Sequence, residues 1–133
     1  MAIKRIDHVA VVVNDLDQAL AVYRDALGMP VSAIKTIPEQ DVKIGFLPSG
    51  DSEIELLEPI NPESGIAQYL AKRGEGLHHI CLEVDDIEAT LAELQAKGAQ
   101  LIDRVPKQGA YGRVAFIHPK GAHGVLIELL ERD

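Results

Sequence analysis

Short stretches in which apolar and polar residues alternate occur in both halves of the chain, a pattern typical of strands that bury one face. Two of these stretches are alike: "IDHVAVVVND", which starts at Ile6, and "LHHICLEVDD", which starts at Leu77. Each has a histidine near its start and ends in acidic or amide residues. His8 in the first stretch corresponds to His79 in the second, so the two stretches predict equivalent strands.

A helix is predicted after each of these strands. Asp15 is placed to cap the first helix, whose apolar residues recur at helical spacing until Gly28 ends the pattern. Asp85 or Asp86 caps the second helix, and Gly98 ends it. The second half of the chain therefore repeats the order of elements found in the first.

The two halves also end alike. "SEIELLEP" and "GVLIELLER" share an Ile-Glu-Leu-Leu-Glu core, in which Glu55 corresponds to Glu128. These two glutamates are separated by nearly the same number of residues as His8 and His79, which indicates an internal duplication. Between the matched ends, Gly and Pro bound four further predicted strands, namely "VSAIKTIP", "VKIGFLPSG", "AQLIDRVPK" and "RVAFIHPKG".

These patterns predict an α+β protein made of two pseudo-symmetric βαβββ modules, whose strands form a curled mixed sheet around a shared cleft. We expect a single domain over residues 1–133, with module one at about 1–60, a linker at about 61–75 and module two at about 76–133. A short helix is expected inside the linker, from Ile66 to Lys72.

Composition narrows the classes of function. The chain has 133 residues, 47% of them hydrophobic, which is enough for a core, and no apolar run approaches the length of a membrane span. The net charge of −8 argues against a nucleic-acid partner. No secretory signal pattern is present, so we expect a cytoplasmic protein. The single cysteine, Cys81, lies in an alternating strand and is expected to be a small buried side chain.

Four residues in matched positions form a candidate metal site, namely His8, Glu55, His79 and Glu128. Neutral imidazoles and carboxylates on rigid strands suit Co, Mn, Ni, Zn or Fe(II), and would make the cleft a metal-binding one. Taken singly, each residue is better explained as a hydrogen-bonded histidine or a solvated glutamate than as a metal ligand. The repeated set favours the metal, and four protein ligands would leave an octahedral ion two positions for a two-oxygen substrate.

The other histidines are weaker candidates. His78 is out of phase with His79 along the strand, so it is expected on the opposite face in a structural or supporting role. His118 and His123 fall in a loop region that has no equivalent in module one.

Four stretches, "IDHVAVVVNDLDQAL", "IELLEP", "EGLHHICLEVDDI" and "HPKGAHGVLIEL", resemble the vicinal oxygen chelate superfamily, and within it the methylmalonyl-CoA epimerase family. The resemblance runs nearly end to end. It implies the vicinal oxygen chelate fold, a homodimer, and one divalent metal ion per chain held by the four residues above, with Co²⁺ favoured and Zn²⁺, Mn²⁺ or Ni²⁺ as alternatives. The activity it implies is epimerisation of (2R)- and (2S)-methylmalonyl-CoA at C2.

That reaction removes a proton from a carbon between a thioester and a carboxylate, so the negative charge of the resulting enolate must be stabilised. A divalent ion that chelates one oxygen of each group would do so. Acid/base groups on both faces of the carbon would then remove and return the proton. Glu128 is the first choice for this catalytic role and Glu55 the second, with a metal-bound water as the remaining alternative.

An acyl-CoA substrate would bring several negative charges to an acidic protein. From Arg104 to Ile127 the chain carries four basic residues and no acid. Arg113 and Lys120 are therefore our candidates for contacts with phosphate or with the substrate carboxylate. The alternative for each is an ordinary basic residue on a surface loop.

Three other functions remain open at this stage. A glyoxalase I type lactoylglutathione lyase uses a similar His/Glu metal set. A non-enzymatic protein that sequesters small molecules can have the same fold and needs no ion. A ring-cleaving dioxygenase needs only two histidines and one carboxylate, which would leave one of the four matched residues without a role.

Overall fold

The computed structural model describes residues 2–133, which divide into two compact units. One unit, here called the ligand unit, consists of the described residues up to His8 together with His79–Asp133. The other, here called the central unit, consists of Val9–His78. Strand β1 (Ile3–Val12) therefore contributes its first half to the ligand unit and its second half to the central unit.

The central unit contains the end of β1 and most elements of module one. Its strands lie in the order β2-β3-β4-β1, with β4 parallel to β1 and the other neighbours antiparallel. Its elements are α1 (Leu16–Leu20), β2 (Ala33–Ile37), a 3₁₀ turn (Pro38–Gln40), β3 (Val42–Ser49), β4 (Ser52–Pro59) and α2 (Gly65–Arg73).

The ligand unit repeats this arrangement with the elements of module two. Its strands lie in the order β5-β8-β7-β6, with β8 parallel to β5 and the other neighbours antiparallel. Its elements are β5 (Gly76–Val84) from His79 onward, α3 (Ile87–Ala96), β6 (Lys107–Gln108), β7 (Gly112–Ile117), a 3₁₀ turn (Pro119–Ala122) and β8 (Ile127–Arg132). The predicted α+β class, the mixed sheet and the βαβββ repeat are confirmed.

The repeat extends to the register of individual residues. Glu55 in β4 lies opposite Phe46 in β3, and Glu128 in β8 lies opposite Phe116 in β7. Each glutamate thus has the same aromatic neighbour on the antiparallel side. The correspondence between Glu55 and Glu128 that the sequence predicts therefore holds within the two sheets.

Lysines are repeated as well. The Nζ of Lys35 lies 5.8 Å from the ring centroid of Phe46, and the Nζ of Lys107 lies 5.5 Å from that of Phe116. A cation at this distance from a ring face is attracted by the negative face of the aromatic system. Both units therefore place a positive charge beside the aromatic neighbour of their matched glutamate.

The predicted helices begin where their capping aspartates indicate. The side chain of Asp15 accepts a hydrogen bond from the backbone of Gln18, and that of Asp86 accepts one from Ala89, which satisfies free N–H groups of each first turn. Gly98 follows α3 with a φ of +79°, a conformation that favours glycine. The helix predicted in the linker is confirmed as α2.

The first helix departs from the prediction in its second half. After Leu20 the chain continues as a π-helical segment, Ala21–Ala26. The turn is wider there, because each N–H bonds to the carbonyl five residues back rather than four. The Leu27 N–H, for example, donates to the Val22 carbonyl oxygen at 2.9 Å. The spacing of apolar residues alone does not distinguish an α-helix from a π-helix.

The strand predicted at "AQLIDRVPK" is wrong for most of its length. Within residues 99–108, Leu101 makes one isolated bridge to β7, and only Lys107–Gln108 form a strand. The Asp103 carboxylate accepts the backbone N–H of Phe116 at 2.9 Å, so a side chain occupies the place of a ladder carbonyl. Pro106 has no N–H to donate. The apolar pattern is strand-like, but the polar groups end the pairing.

Each unit has its own apolar core between helix and sheet. In the central unit, α1 covers the sheet with buried residues grouped as Val13, Leu16, Leu20, Leu47 and Leu56. In the ligand unit, α3 does the same with Val84, Ile87, Leu91, Ala115 and Leu129. Burial of these side chains removes apolar surface from water and holds each helix on its sheet. Among residues 2–133, no helix has the length and apolar character that crossing a membrane requires.

Candidate metal centre

Three of the four predicted ligands meet in the ligand unit. The Nε2 atoms of His8 and His79 lie 3.2 Å apart, and Oε1 of Glu128 lies 3.2 Å from the first and 3.1 Å from the second. His8 comes from β1, His79 from β5 and Glu128 from β8, three neighbouring strands. We call these residues the His8–His79–Glu128 trio.

The trio fits a divalent metal ion. Three donor atoms about 3 Å apart have the spacing of neighbouring ligands around one first-row cation with ligand distances of about 2.1 Å. Both histidines are buried, and the Glu128 side chain is 13% exposed. Two imidazole nitrogens and one carboxylate oxygen are a donor set that Co²⁺, Zn²⁺, Mn²⁺ and Ni²⁺ all accept.

Glu128 is anionic in this setting. Its burial would raise the pKa of the carboxyl group, but hydrogen bonds and charge interactions with His79 and His8 outweigh burial and lower the pKa below its usual value. A metal ligand must be deprotonated to bind, so a carboxylate that stays ionised at neutral pH suits that role. Phe116 packs its ring edge-on against His79, with centroids 5.8 Å apart.

Sequence reasoning missed Asp7, which lies directly behind His8. Oδ2 of Asp7 is 2.8 Å from Nδ1 of His8, and the Asp7 side chain is fully buried. Burial would raise the pKa of Asp7, but hydrogen bonds from His8 and Arg132 outweigh it and lower the pKa. A signal was available, because an acidic residue flanks a candidate ligand in a strand where few charges are expected.

Two arginines hold Asp7 from the other side. Arg132, the last residue of β8, places Nε and Nη2 each 2.7 Å from Oδ1 of Asp7. Arg5 in β1 places Nη2 3.0 Å from the same oxygen and donates from Nε to Glu83 at 2.7 Å. The Tyr111 ring covers the Arg132 guanidinium at 4.8 Å. Asp7 thus belongs to a network of paired charges behind the trio.

The fourth predicted ligand, Glu55, lies in the central unit. It is buried within β4, with 6% of its surface exposed, and faces Phe46 across the antiparallel pair. A buried carboxylate is costly unless it is partnered. Its roles as ligand and as acid/base group remain predictions.

The two candidate substrate-binding residues differ in their surroundings. Nη1 of Arg113 lies 2.5 Å from Oε1 of Glu88, and its Nη2 lies 3.0 Å from Oε2 of Glu131, so two carboxylates already hold its guanidinium. Lys120 is exposed in the 3₁₀ turn. Contact with substrate remains a prediction for both, and Lys120 is the more accessible of the two.

The remaining candidates lie outside the trio. Cys81 is fully buried near Asp7 and His8, and burial raises the pKa of its thiol to about 12, which disfavours the thiolate that a metal would bind. His78 packs against the Tyr69 ring at 4.7 Å. His118 accepts a hydrogen bond from the backbone of Lys120 and caps the 3₁₀ turn.

A family model described as the Glyoxalase/Bleomycin resistance protein/Dioxygenase superfamily matches residues 7–116. The chain belongs to this superfamily, as the repeat and the trio indicate.

Relatives within the superfamily narrow the assignment. The chain is 42% identical to "Methylmalonyl-CoA epimerase, mitochondrial" of Mus musculus, over 94% of this chain and 71% of that protein. It is 43% identical to the "Ethylmalonyl-CoA/methylmalonyl-CoA epimerase" of Cereibacter sphaeroides, over 96% of this chain and 97% of that protein. The solved structure of a methylmalonyl-CoA epimerase in complex with methylmalonyl-CoA and NH4+ superposes with a TM-score of 0.89 at 36% identity. The match covers 98% of this chain and 96% of that chain. Within the superfamily, the chain is an enzyme of the methylmalonyl-CoA epimerase family.

Proposed function

We propose that this protein epimerises methylmalonyl-CoA by moving the C2 proton from one face of the carbon to the other, with a divalent metal ion held by the His8–His79–Glu128 trio. The observation that carries the proposal is the meeting of three donor atoms within 3.2 Å in a chain over 40% identical to relatives named for this reaction. The trio accounts for the metal, and the relatives account for the substrate.

The substrate sets the chemical problem. Its C2 lies between a thioester and a carboxylate, and loss of the proton places negative charge on the thioester oxygen. His8, His79 and Glu128 would hold a divalent ion, which would supply Lewis acidity to offset this charge. Both histidines of the trio are buried, and a buried setting strengthens the electrostatic interactions on which stabilisation depends.

The chain must also supply groups that take and return the proton. Glu128 and Glu55 are the two candidates, because they occupy equivalent positions in the duplicated modules. The lowered pKa of Glu128 fits a ligand better than a base, since an effective base has a pKa close to the working pH. Glu55 thereby becomes the stronger candidate for proton transfer, and its matched position also makes it the proposed fourth ligand.

Several further properties belong to this proposal. Co²⁺ is the favoured ion, and the protein is a cytoplasmic homodimer. The anionic CoA portion is bound by basic residues of the second module, with Lys120 more accessible than Arg113, whose guanidinium is paired with two carboxylates.

Deuterium exchange tests the reaction directly. Purified protein loaded with Co²⁺ is incubated in deuterated water with one epimer of methylmalonyl-CoA, and label at C2 is followed by mass spectrometry. We expect label at C2 and formation of the other epimer, both abolished by a chelator and restored by Co²⁺.

Methylglyoxal with glutathione serves as the parallel substrate. Product from that pair, without exchange at C2, would assign the protein as a lactoylglutathione lyase. A purified protein that turns over neither substrate and retains no divalent ion would fit a sequestration protein, and the proposal would be wrong.

A further inference from the structure

A cavity of about 560 Å³ lies in the ligand unit, beside the end of α3 and the end of β7. Its wall includes Gln95, Gln100, Leu101, Arg104 and His118. The volume falls within the range of about 300–1,000 Å³ that is typical of small-molecule sites. The function proposed above uses none of these five residues.

The cavity and the trio lie on opposite faces of the sheet. Leu101 packs against the core that α3 covers, and Leu129 of β8 belongs to that core. Side chains alternate along a strand, so Glu128, the neighbour of Leu129, points to the other face. The sheet therefore separates a molecule in the cavity from the candidate metal centre.

Backbone and side-chain hydrogen bonds hold the wall of the cavity in place. The backbone N–H of His118 donates to the Gln100 carbonyl oxygen at 2.8 Å, and the side-chain amide of Gln95 donates to the Arg104 carbonyl oxygen at 3.4 Å. Leu101 makes its isolated bridge to β7 between these two contacts. The segment that forms the wall is thus tied to both α3 and β7, and the cavity is preformed, as small-molecule sites usually are.

The charges around the cavity favour an anionic occupant. Arg104 and Lys120 are the two cations of the ligand unit that pair with no carboxylate among residues 2–133, whereas every other lysine and arginine of this unit does. A side chain added at Gly121 would come within 2.9 Å of Gln100, so the turn that carries Lys120 lies against the cavity wall. Among the described residues, no acidic side chain lines the cavity. Two positive charges without a counter-ion match a dianion.

The hydrogen-bonding groups of the wall also favour an anion. The backbone N–H of Lys120 donates to Nδ1 of His118 at 3.0 Å, so the hydrogen of a neutral His118 ring is on Nε2. The Nε2–H group of His118 and the guanidinium N–H groups of Arg104 are therefore donors for a ligand. The last carbonyl oxygens of α3, by contrast, already accept the N–H groups of residues 97–99. The wall offers more donors than acceptors.

We propose that this cavity is a second binding site, which takes a small organic phosphate with its phosphate group against Arg104 and His118. A phosphate monoester carries close to two negative charges at neutral pH and three acceptor oxygens, and the guanidinium fork of arginine matches two of those oxygens. The amides of Gln95 and Gln100 and the apolar side chain of Leu101 are then available to the organic part of the ligand.

The site stands independently of the proposed epimerisation. Lys120 is also our candidate for contact with CoA, so the test relies on Arg104, which the proposed reaction does not use. Binding is measured on the metal-free protein, so a failure of the metal-dependent reaction would leave the measurement decisive for the cavity.

A titration followed by ¹H–¹⁵N NMR tests the site. The probes are adenosine monophosphate, inorganic phosphate and succinate, each at neutral pH and constant ionic strength. We expect saturable shifts in the cavity wall with adenosine monophosphate at a dissociation constant below about 1 mM, and weaker binding of inorganic phosphate, which lacks an organic part. Shifts that are absent, that do not saturate or that centre on the trio would overturn the proposal. Succinate that binds as tightly as adenosine monophosphate would overturn the assignment to phosphate.

Two exposed positions at this end of the ligand unit supply the variant and its control. Arg104→Gln removes the cation from the wall, and the dissociation constant for adenosine monophosphate is expected to rise at least about 10-fold. Lys97→Gln removes a cation that pairs with Glu93 outside the wall, and its dissociation constant should stay within about 3-fold of wild type. The ¹H–¹⁵N spectrum shows directly that each variant is folded. Equal weakening in the two variants, or none in Arg104→Gln, would contradict the site.

Discussion

At the scale of single residues, Glu128 sets the charge of the trio. Two imidazoles are neutral as ligands, so the anionic member is the one that compensates a divalent ion most strongly. Its carboxylate is held between both Nε2 atoms and is kept ionised despite its burial. Replacement of this one group therefore tests the site more sharply than replacement of either histidine.

Glu128→Gln is predicted to lose the metal and the reaction together. The amide keeps the shape but is uncharged and a weaker ligand, so we expect the Co²⁺ dissociation constant to rise at least about 10-fold and C2 exchange to fall at least about 100-fold. Titration and mass spectrometry measure the two effects. The control is Glu93→Gln, an exposed glutamate of α3 paired with Lys97, which should behave as wild type. Exchange at the wild-type rate in Glu128→Gln would exclude this residue from the site.

The sequence leads to the three residues that meet in the trio, whereas the contacts of Asp7 behind them are seen only in the structure. His8, His79 and Glu128 could be recognised because duplication places matched residues at matched positions. Asp7 has no matched acid in module two, and strand alternation assigns its side chain to the face opposite His8. Only the structure shows that the carboxylate reaches Nδ1 of its own neighbour.

At the scale of elements, the pairing of β7 with β8 depends on close backbone approach at Gly112. A side chain added there would collide with the carbonyl oxygen of Glu131 and would come within 2.8 Å of the Cα of Arg132. The two strands pair from this position onward, with Gly112 opposite Arg132. A residue without a side chain thus allows Arg132 to reach its place beside Asp7.

Gly112→Ala is accordingly predicted to destabilise the protein by about 2–3 kcal/mol, because backbone atoms cannot move aside as a flexible side chain would. Urea denaturation measures the change in the free energy of unfolding. Gly65→Ala is the control, since nothing lies within 4 Å of the added carbon at the start of α2, and it should be neutral or stabilising by up to about 1 kcal/mol. Equal stability of the two variants would contradict the close approach of the β8 backbone to Gly112.

Elements with a strong local signal were predictable, and those decided by distant polar groups were not. The helices α1 and α3 each have a capping aspartate and an apolar face. Gly98 ends α3, and Gly28 follows the π-helical segment that continues α1. The failed strand at "AQLIDRVPK" has the right apolar pattern, but Asp103 takes the N–H of Phe116 across the sheet. That competition depends on a residue 13 positions away and leaves no local trace.

At the scale of the whole molecule, buried carboxylates with lowered pKa values make folding sensitive to acid. Asp7 and Glu128 both have a pKa lower in the folded chain than their ordinary values of 3.8 and 4.5. The unfolded chain therefore binds protons more readily, and acid favours unfolding. Their contribution to stability is complete above those ordinary values and is lost as the pH falls through the lower pKa values of the folded state.

The metal-free protein is thus predicted to have a lower free energy of unfolding at pH 3 than at pH 6. Urea denaturation at the two pH values measures the difference, and Asp7→Asn should show a smaller difference than wild type, because it removes one of the two groups. Glu93→Gln is again the control, since its exposed ion pair is screened by solvent. A wild-type difference no larger than that of Asp7→Asn would contradict the assignment.

Strand β1 is shared between the two units, and this arrangement bears on how such a protein arose. His8 lies in the first half of the duplication, whereas His79 and Glu128 lie in the second, yet all three belong to the ligand unit. A half-length ancestor with one copy of the module would have carried one histidine and one glutamate. Its first strand would have had to pair with a second molecule to bring two histidines and one glutamate together. Fusion of two copies would have turned that concentration-dependent encounter into a property of one chain.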